Sequence, residues 1–169
     1  MAAESSAEAW FRCRRLVEFR DTDAAGIAHF SAFFFWMESA EHELLRYLGL
    51  RVVDHEPDDA ESLTAELAAA GETVATTRLE VSWPRVAVTA DYKAAVRFGD
   101  EVEVAVSVAQ LGASSVTYAF RFESAGRLVA TGRVVAVRCL LRPGRKPLPV
   151  RLSPLVARQL ASYLLPAEA

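Results

Sequence analysis

A stripe of apolar residues at helical spacing between residues 32 and 48 constrains the fold more than any other feature of the chain. The stripe consists of Phe33, Trp36, Met37, Ala40, Leu44, Tyr47 and Leu48. This spacing predicts one long amphipathic helix, with Ser31 placed to cap its start and Gly49 to end it. Four polar residues fall largely off the stripe, namely Glu38, Glu41, His42 and Glu43. Such a helix must bury its stripe against a large apolar surface, so the rest of the chain has to supply one.

From residue 72 onward the apolar residues switch to the two-residue period of β-strands. The segments 86–92, 101–108 and 114–124 alternate in this way, and 128–141 is apolar on both sides for much of its length. Residues 11–19 predict a first strand and 154–165 a final helix. Residues 51–62 predict a solvated acidic loop, followed by no more than a short helical turn. The proline of the Trp83-Pro84 pair indicates a sheet edge or a bulge.

One long helix and four or five antiparallel strands, each with an apolar face, predict a two-layer α+β domain. A single helix cannot cover such a sheet completely. We therefore expect association of two chains through the sheet or its edge.

Composition and charge exclude several classes of function. The 169 residues suffice for one domain, and 52% hydrophobic with 24% charged residues is typical of a compact globular protein. The net charge of −3 gives no basis for a nucleic-acid surface. We expect no membrane partner, because no segment has the ~20 apolar residues of a spanning helix and the amino terminus does not resemble a signal peptide. Cys13 and Cys139 have no motif spacing, which predicts free thiols, no metal site and a cytoplasmic location.

The loop ahead of the helix, DTDAAGIAHFS (21–31), contains the candidate functional residues. Taken alone, Asp21 and Asp23 would most often be turn formers that accept hydrogen bonds from nearby backbone N–H groups. Gly26 permits a backbone angle that brings another group close to the chain. His29 at a helix start can be a hydrogen-bonding or a reacting group. Composition and spacing leave these alternatives open.

The segment RLVEFRDTDAAGIAHFSAFFFWMESAEHELLRYLGL (15–50) resembles the opening of hotdog-fold acyl-CoA thioesterases of the 4-hydroxybenzoyl-CoA thioesterase type. Their signature runs Asp-x-Asp-x-x-Gly-Ile/Val, a few mostly aromatic residues, and then the helix. WPRVAVTADYKAAVRFGDEVEV and LGASSVTYAFRF are similar to later strand blocks of the family. The resemblance implies a hotdog fold, in which a five- or six-stranded antiparallel sheet wraps a long central helix. It also implies a single domain over residues 10–142, with a carboxy-terminal extension over 143–169.

The resemblance further implies that the chain hydrolyses an acyl-CoA or aroyl-CoA thioester. Asp23 matches the family's catalytic aspartate, which acts as nucleophile or general base. The backbone N–H of Phe30 matches the donor that holds the thioester carbonyl oxygen. His29 is a third catalytic candidate, although relatives with a histidine here carry it one residue later, where this chain has Phe30. No cofactor is implied beyond coenzyme A as part of the substrate, and a homodimer or homotetramer is expected.

The predicted substrate-binding residues are Gly26, Ile27, Trp83, Ser114 and Ser115. The first two belong to the signature, Trp83 lies in a block that can line the acyl pocket, and the serines begin a strand that can contact pantetheine. The family asparagine two positions beyond the carbonyl donor is Ala32 here. A basic run that some members use for coenzyme A phosphates is replaced by QLGA (110–113). The candidate phosphate-binding cations are therefore Arg142, Arg145 and Lys146.

Two other functions stay open at this point. The missing basic run would suit a non-catalytic hotdog protein that binds an acyl thioester, whereas the presence of Asp23 disfavours that interpretation. Hotdog-fold enoyl-CoA hydratases resemble Asp-x-Asn-x-x-His, with the histidine five residues after the aspartate. Here Asp23 and His29 are six residues apart with no asparagine between them, so the spacing disfavours a hydratase.

Overall fold

The computed structural model describes residues 9–72 and 79–166. Its elements are β1 (Phe11–Leu16), α1 (Ala32–Tyr47), β2 (Val53–Asp54), α2 (Ala60–Ala69), β3 (Val81–Ser82), β4 (Arg85–Tyr92), β5 (Glu101–Leu111), β6 (Ser115–Ser124), β7 (Arg127–Val137), β8 (Cys139–Leu140), β9 (Leu148–Pro149) and α3 (Pro154–Ala161). Five strands form one antiparallel sheet in the order β1-β5-β6-β7-β4. The predicted α+β fold with a single antiparallel main sheet is confirmed.

Helix α1 lies on this sheet through its apolar stripe. Five of the predicted stripe residues are buried, namely Phe33, Trp36, Met37, Ala40 and Leu44. The helix approaches the sheet closely at Gly132, where an added Cβ would collide with the Met37 sulfur. Tyr47 departs from the predicted stripe because it is exposed, whereas Leu48 is partly buried against the core. Gly49 then adopts a left-handed backbone angle (φ 71°) directly after the helix, as its position predicts.

Glu41 corrects the sequence interpretation, because it is buried with 1% of its surface exposed. It follows Met37 by four residues and precedes Leu44 by three, so helical geometry places it at the edge of the stripe. Its Oε1 accepts a hydrogen bond from Arg85 of β4 at 3.0 Å. The partner lies 44 residues away in sequence. No helical pattern could therefore have indicated that this charge is compensated.

Burial raises the pKa of Glu41 to about 7 from its usual 4.5, and the nearby Arg85 only partly offsets the effect. The folded protein therefore holds this proton up to about pH 7, whereas the unfolded chain releases it near 4.5. The stability that this group contributes is fully present below pH 4.5 and is lost as the pH rises through 7. We expect wild type to lose roughly 2–3 kcal/mol of unfolding free energy relative to Glu41→Gln between pH 5 and pH 8. Urea unfolding of both proteins measures this difference, and a difference that does not change with pH would contradict the assignment.

A second sheet of short strands, ordered β2-β3-β8-β9, packs with α2. Its small core contains Leu63, Leu67, Val81, Leu140 and Val150. The acidic segment is therefore not simply a loop, and the predicted helical turn is a ten-residue helix. Leu63 and Leu67, one turn apart, supply the apolar face that orders it. Part of the strand pattern predicted from residue 72 onward falls on residues 73–78, outside the described residues.

The ends of the main elements differ from the predicted ones by a few residues. Strand β1 ends at Leu16, because Phe19–Asp21 form a short 3-10 turn. Helix α3 ends at Ala161 and packs Val156 and Leu160 into the main core. The register of β4 against β7 shifts between Arg85 and Ala87, so the bulge predicted beside Pro84 is confirmed at a sheet edge. Within the described residues no helix is long and apolar enough to cross a membrane.

Candidate active site

The loop between β1 and α1 is closed by its own backbone hydrogen bonds. The Asp23 N–H donates to the Ile27 carbonyl oxygen at 2.9 Å, and the His29 N–H donates to that of Asp21 at 2.7 Å. Gly26 turns the chain between them in the left-handed region (φ 71°), where a side chain would be strained. The Asp21 carboxylate accepts the Glu18 N–H at 3.0 Å. The loop therefore holds Asp23 at a fixed position just ahead of α1.

The Asp23 side chain is exposed and lines a cavity of about 400 Å³. Other residues along this cavity include Ile27, Phe30, Phe33, Tyr92 and Lys93. Asp23 Oδ1 accepts the Ala25 N–H at 2.8 Å. Within the described chain, no hydrogen bond engages Oδ2. The cavity thus combines one available carboxylate oxygen with largely apolar and aromatic walls.

Phe30 lies immediately before α1 and lines the same cavity. The first N–H groups of the helix are partly used, since Ala32 donates to the His29 carbonyl oxygen and Phe34 to that of Ser31. Among residues 9–72 and 79–166, no group accepts a hydrogen bond from the Phe30 N–H. A helix amino terminus carries partial positive charge, so a free N–H there can bind an oxygen that gains negative charge.

Tyr92 is a residue of this site that the sequence analysis missed. Its hydroxyl donates a hydrogen bond to the Phe30 carbonyl oxygen at 3.0 Å. Its ring meets that of Phe33 edge-on, with centroids 5.2 Å apart. Burial raises the pKa of Tyr92, which keeps the hydroxyl protonated as a donor. The last residue of β4 therefore ties the edge strand to the start of α1, and its place at the end of an alternating strand is the only sequence signal for it.

The structure does not place His29 in the Asp23 cavity. The His29 Nδ1 lies 2.7 Å from the Ser31 hydroxyl oxygen. Its ring lines a separate cavity of about 670 Å³ together with Arg15 and Asp21. Ser31, predicted to cap the helix, makes no side-chain cap hydrogen bond. Of the three catalytic candidates, Asp23 and Phe30 share a cavity and His29 does not.

Three predicted binding residues lie far from Asp23 within the chain. Trp83 is buried in the main core, beside a cavity lined by Gly49 and Leu50 at the end of α1. Ser114 and Ser115 lie at the start of β6, where their carbonyl oxygens accept the N–H groups of Arg138 and Gly112. Ser115 pairs with Val137, whereas Tyr92 pairs with Ala130 of the same strand. Seven residues of strand separate the two positions, or roughly 23 Å.

The two arginines among the predicted phosphate-binding cations already form ion pairs or hydrogen bonds within the chain. Arg142 and Arg145 both bind the Glu72 carboxylate, and Arg142 also donates to the Lys146 carbonyl oxygen at 3.0 Å. Lys93, by contrast, lines the Asp23 cavity. The nearest cation that the structure brings to this cavity was therefore not among the sequence candidates. Between residues 9–72 and 79–166 there is no cluster of side chains suited to hold a metal ion.

Two solved thioesterases share the architecture of this chain. A gentisyl-coenzyme A thioesterase superposes with a TM-score of 0.65 and 25% identity, covering 89% of this chain and 99% of that one. A 1,4-dihydroxy-2-naphthoyl-CoA thioesterase from Synechocystis superposes with a TM-score of 0.66 and 21% identity, covering 90% and 96%. The predicted hotdog fold is confirmed.

Sequence comparison identifies the family. The model of the thioesterase-like superfamily matches residues 17–160, so this chain belongs to that superfamily. A 1,4-dihydroxy-2-naphthoyl-CoA hydrolase of Synechococcus sp. (strain CC9605) is 32% identical over 143 residues, covering 80% of this chain and 86% of the relative. Another, from Prochlorococcus marinus, is 30% identical over 125 residues, covering 74% and 72%. The resemblance to hotdog acyl-CoA thioesterases is thereby confirmed.

Proposed function

We propose that this chain hydrolyses an acyl-CoA or aroyl-CoA thioester in the cavity of Asp23 and Phe30. One observation carries the proposal: Asp23, with one available carboxylate oxygen, and Phe30, whose N–H has no acceptor among the described residues, line the same cavity. Thioester hydrolysis needs a nucleophile or general base and a donor for the carbonyl oxygen. The two groups supply these two requirements.

In the proposed reaction the thioester carbonyl oxygen accepts a hydrogen bond from the Phe30 N–H. By one route Asp23 attacks the carbonyl carbon, the C–S bond breaks, coenzyme A leaves as a thiolate, and water hydrolyses the resulting mixed anhydride. By the other route Asp23 takes a proton from a water molecule that attacks the same carbon. Both routes give the free acid and coenzyme A, and both place negative charge on the oxygen beside Phe30 in the transition state.

The walls of the cavity suit an aromatic acyl group as a first substrate to test. Phe30, Phe33 and Tyr92 offer ring faces and edges against which an aroyl ring can pack. The relatives described above act, by name, on dihydroxynaphthoyl and gentisyl thioesters of coenzyme A. Lys93 supplies a positive charge at the cavity for the phosphates of coenzyme A.

Release of free thiol from benzoyl-CoA, 4-hydroxybenzoyl-CoA, acetyl-CoA and dodecanoyl-CoA tests the proposal. We expect turnover of at least one of them at about 1 s⁻¹ or faster, within the ordinary range of enzymes. Tight binding of the thioesters without thiol release would contradict hydrolysis and favour a non-catalytic thioester-binding protein.

We further propose that two chains associate through β4 and that the enzyme acts in the cytoplasm. Strand β4 is a sheet edge with exposed apolar side chains, including Val86 (63% exposed) and Val88 (42%). Phe35 of α1 is also exposed. An apolar edge of this kind requires cover. Light scattering should give twice or four times the 18.5 kDa chain mass, and a mass of 18.5 kDa would contradict association. The cytoplasmic location agrees with Cys13 and Cys139, which are both free thiols.

Tyr92→Phe is expected to lower kcat roughly tenfold, because it removes the single hydrogen bond from β4 to the Phe30 carbonyl group. The effect on KM should be smaller, since the ring and its contact with Phe33 remain. Steady-state kinetics with the preferred thioester measure both constants. An unchanged kcat would show that the Tyr92 hydroxyl does not position the carbonyl donor.

A further inference from the structure

A second cavity, of about 330 Å³, lies between α1 and the edge strand β4. Its lining includes Phe34, Phe35, Glu38, Glu41, Arg85 and Val88. The aromatic and aliphatic side chains form its walls, and the charged ones are grouped at one end. A cavity of this size with mainly apolar walls and a few grouped polar atoms has the make-up of a small-molecule site.

The polar end holds a buried carboxylate oxygen without a partner. Glu41 Oε1 accepts from Arg85 at 3.0 Å, but Oε2 has no hydrogen-bond partner in the described chain. Arg85 also donates to His42 Nε2 at 2.8 Å and lies 3.7 Å from a Glu38 oxygen. Leaving a buried polar oxygen unsatisfied costs about 1–3 kcal/mol, and more when it is charged. Such an oxygen beside a cavity indicates a ligand group that completes its hydrogen bonding.

Both cavities are lined by residues of α1 and β4. On the helix, Phe30 of the first cavity and Phe34 of the second are one turn apart, with ring centroids at 6.5 Å. On the strand, Tyr92 and Val88 lie on the same face, since they are four residues apart. Glu41 follows Phe30 by 11 residues, so the polar end lies roughly 12–16 Å from the carbonyl donor.

We propose that the second cavity is the distal part of the acyl site and takes an elongated acyl group with a hydroxyl at its far end. This inference rests on the proposed function, because the thioester carbonyl must lie at Phe30. The terminal hydroxyl shares a hydrogen bond with Glu41 Oε2, which donates it while the carboxyl group is protonated and accepts it when ionised, and the hydroxyl oxygen also accepts from the Arg85 guanidinium. With carbon–carbon bonds of about 1.5 Å, the distance corresponds to a chain of roughly twelve carbons. A single-ring aroyl group occupies only the first cavity.

A matched pair of substrates tests the polar end. We expect wild type to hydrolyse ω-hydroxydodecanoyl-CoA with a kcat/KM at least tenfold above that for dodecanoyl-CoA, because a site built to bond a hydroxyl discriminates against its absence. In Glu41→Met, which keeps similar bulk but cannot make this hydrogen bond, the preference should fall to about twofold or less. Equal kcat/KM values for the two thioesters in wild type would overturn the proposal.

A substitution that fills the cavity tests its place along the acyl group. Val88→Phe should lower the ratio of kcat/KM for ω-hydroxydodecanoyl-CoA to that for benzoyl-CoA at least tenfold, because only the longer group extends past Val88. Val53→Phe, with the same change in size at an exposed residue of β2 that lines neither cavity, should keep the wild-type ratio. Each readout is the ratio of two kcat/KM values measured on one protein preparation. A loss of folded enzyme lowers both values equally and leaves the ratio unchanged. An unchanged ratio in Val88→Phe would also overturn the proposal.

Failure of the proposed function gives a different result from failure of this inference. If the wild type hydrolyses none of the thioesters, the proposed function fails. The affinity for each intact thioester is then measured by calorimetric titration instead of kinetics. The same preference for the hydroxylated chain, lost in Glu41→Met, would then support the cavity as a binding site. Hydrolysis of benzoyl-CoA without the two expected effects would instead leave the proposed function standing and remove this inference.

Discussion

Asp23→Asn is expected to lower kcat by about 10³-fold or more, the largest effect of any single substitution in this chain. Asparagine has nearly the same shape, but its neutral amide neither attacks a thioester effectively nor takes a proton from water. The amide oxygen can still accept the Ala25 N–H, so the loop should keep its conformation. Thiol release at saturating substrate measures kcat, and the thermal midpoint reports the fold. An Asp23→Asn enzyme that keeps most of its kcat would rule out this role.

The matched control is Asp21→Asn, two residues earlier in the same loop. Asp21 accepts the Glu18 N–H, and the asparagine oxygen can accept it as well. Asp21 does not line the Asp23 cavity, so its loss of charge should change kcat only a few-fold. A fall in Asp21→Asn as large as in Asp23→Asn would indicate that loop structure, rather than the Asp23 carboxylate, limits the rate.

The second largest effect is expected for Phe30→Pro, which removes the N–H that would hold the carbonyl oxygen. One such donor is typically worth about 10²–10³ in kcat. No described group uses this N–H in the free protein, so its removal breaks no hydrogen bond of the fold. Circular dichroism checks the helix, and steady-state kinetics with the preferred thioester give the loss.

Phe30→Ala is the control for that substitution. It removes the exposed ring but keeps the N–H, so it should lower kcat far less than Phe30→Pro does. Equal losses in the two variants would show that the ring, and not the backbone donor, accounts for the effect.

The helix and the main strands could be predicted because their burial is periodic along the sequence. Helix α1 and strand β6 each bury one face, and a residue pattern records such a face directly. The pairing of Asp23 with Phe30 was also predictable, through the family resemblance of the loop. Both residues belong to one short segment, so no long-range contact had to be inferred to bring them together.

The features that the sequence did not indicate are mainly contacts between segments far apart in the chain. Glu41 is buried because Arg85 reaches it from β4, and Tyr92 joins the site because β4 ends beside the start of α1. Neither contact has a local signal. His29 lines a different cavity from Asp23 although its ring lies against that of Phe30, with centroids 4.2 Å apart. Ser115 begins a correctly predicted strand, but the sequence did not show at which end of the sheet it would lie.

A crystal structure of Asp23→Asn with intact benzoyl-CoA is the most direct test of the central claim, that Asp23 and the Phe30 N–H act on one carbonyl group. We expect the carbonyl oxygen of the bound thioester to lie about 2.7–3.1 Å from the Phe30 nitrogen. We also expect the carbonyl carbon to lie about 3–3.5 Å from the residue 23 side chain, or to be separated from it by one water molecule. A thioester carbonyl bound instead in the cavity of His29 and Arg15, away from Phe30, would contradict the claim that Asp23 and the Phe30 N–H act on one carbonyl group.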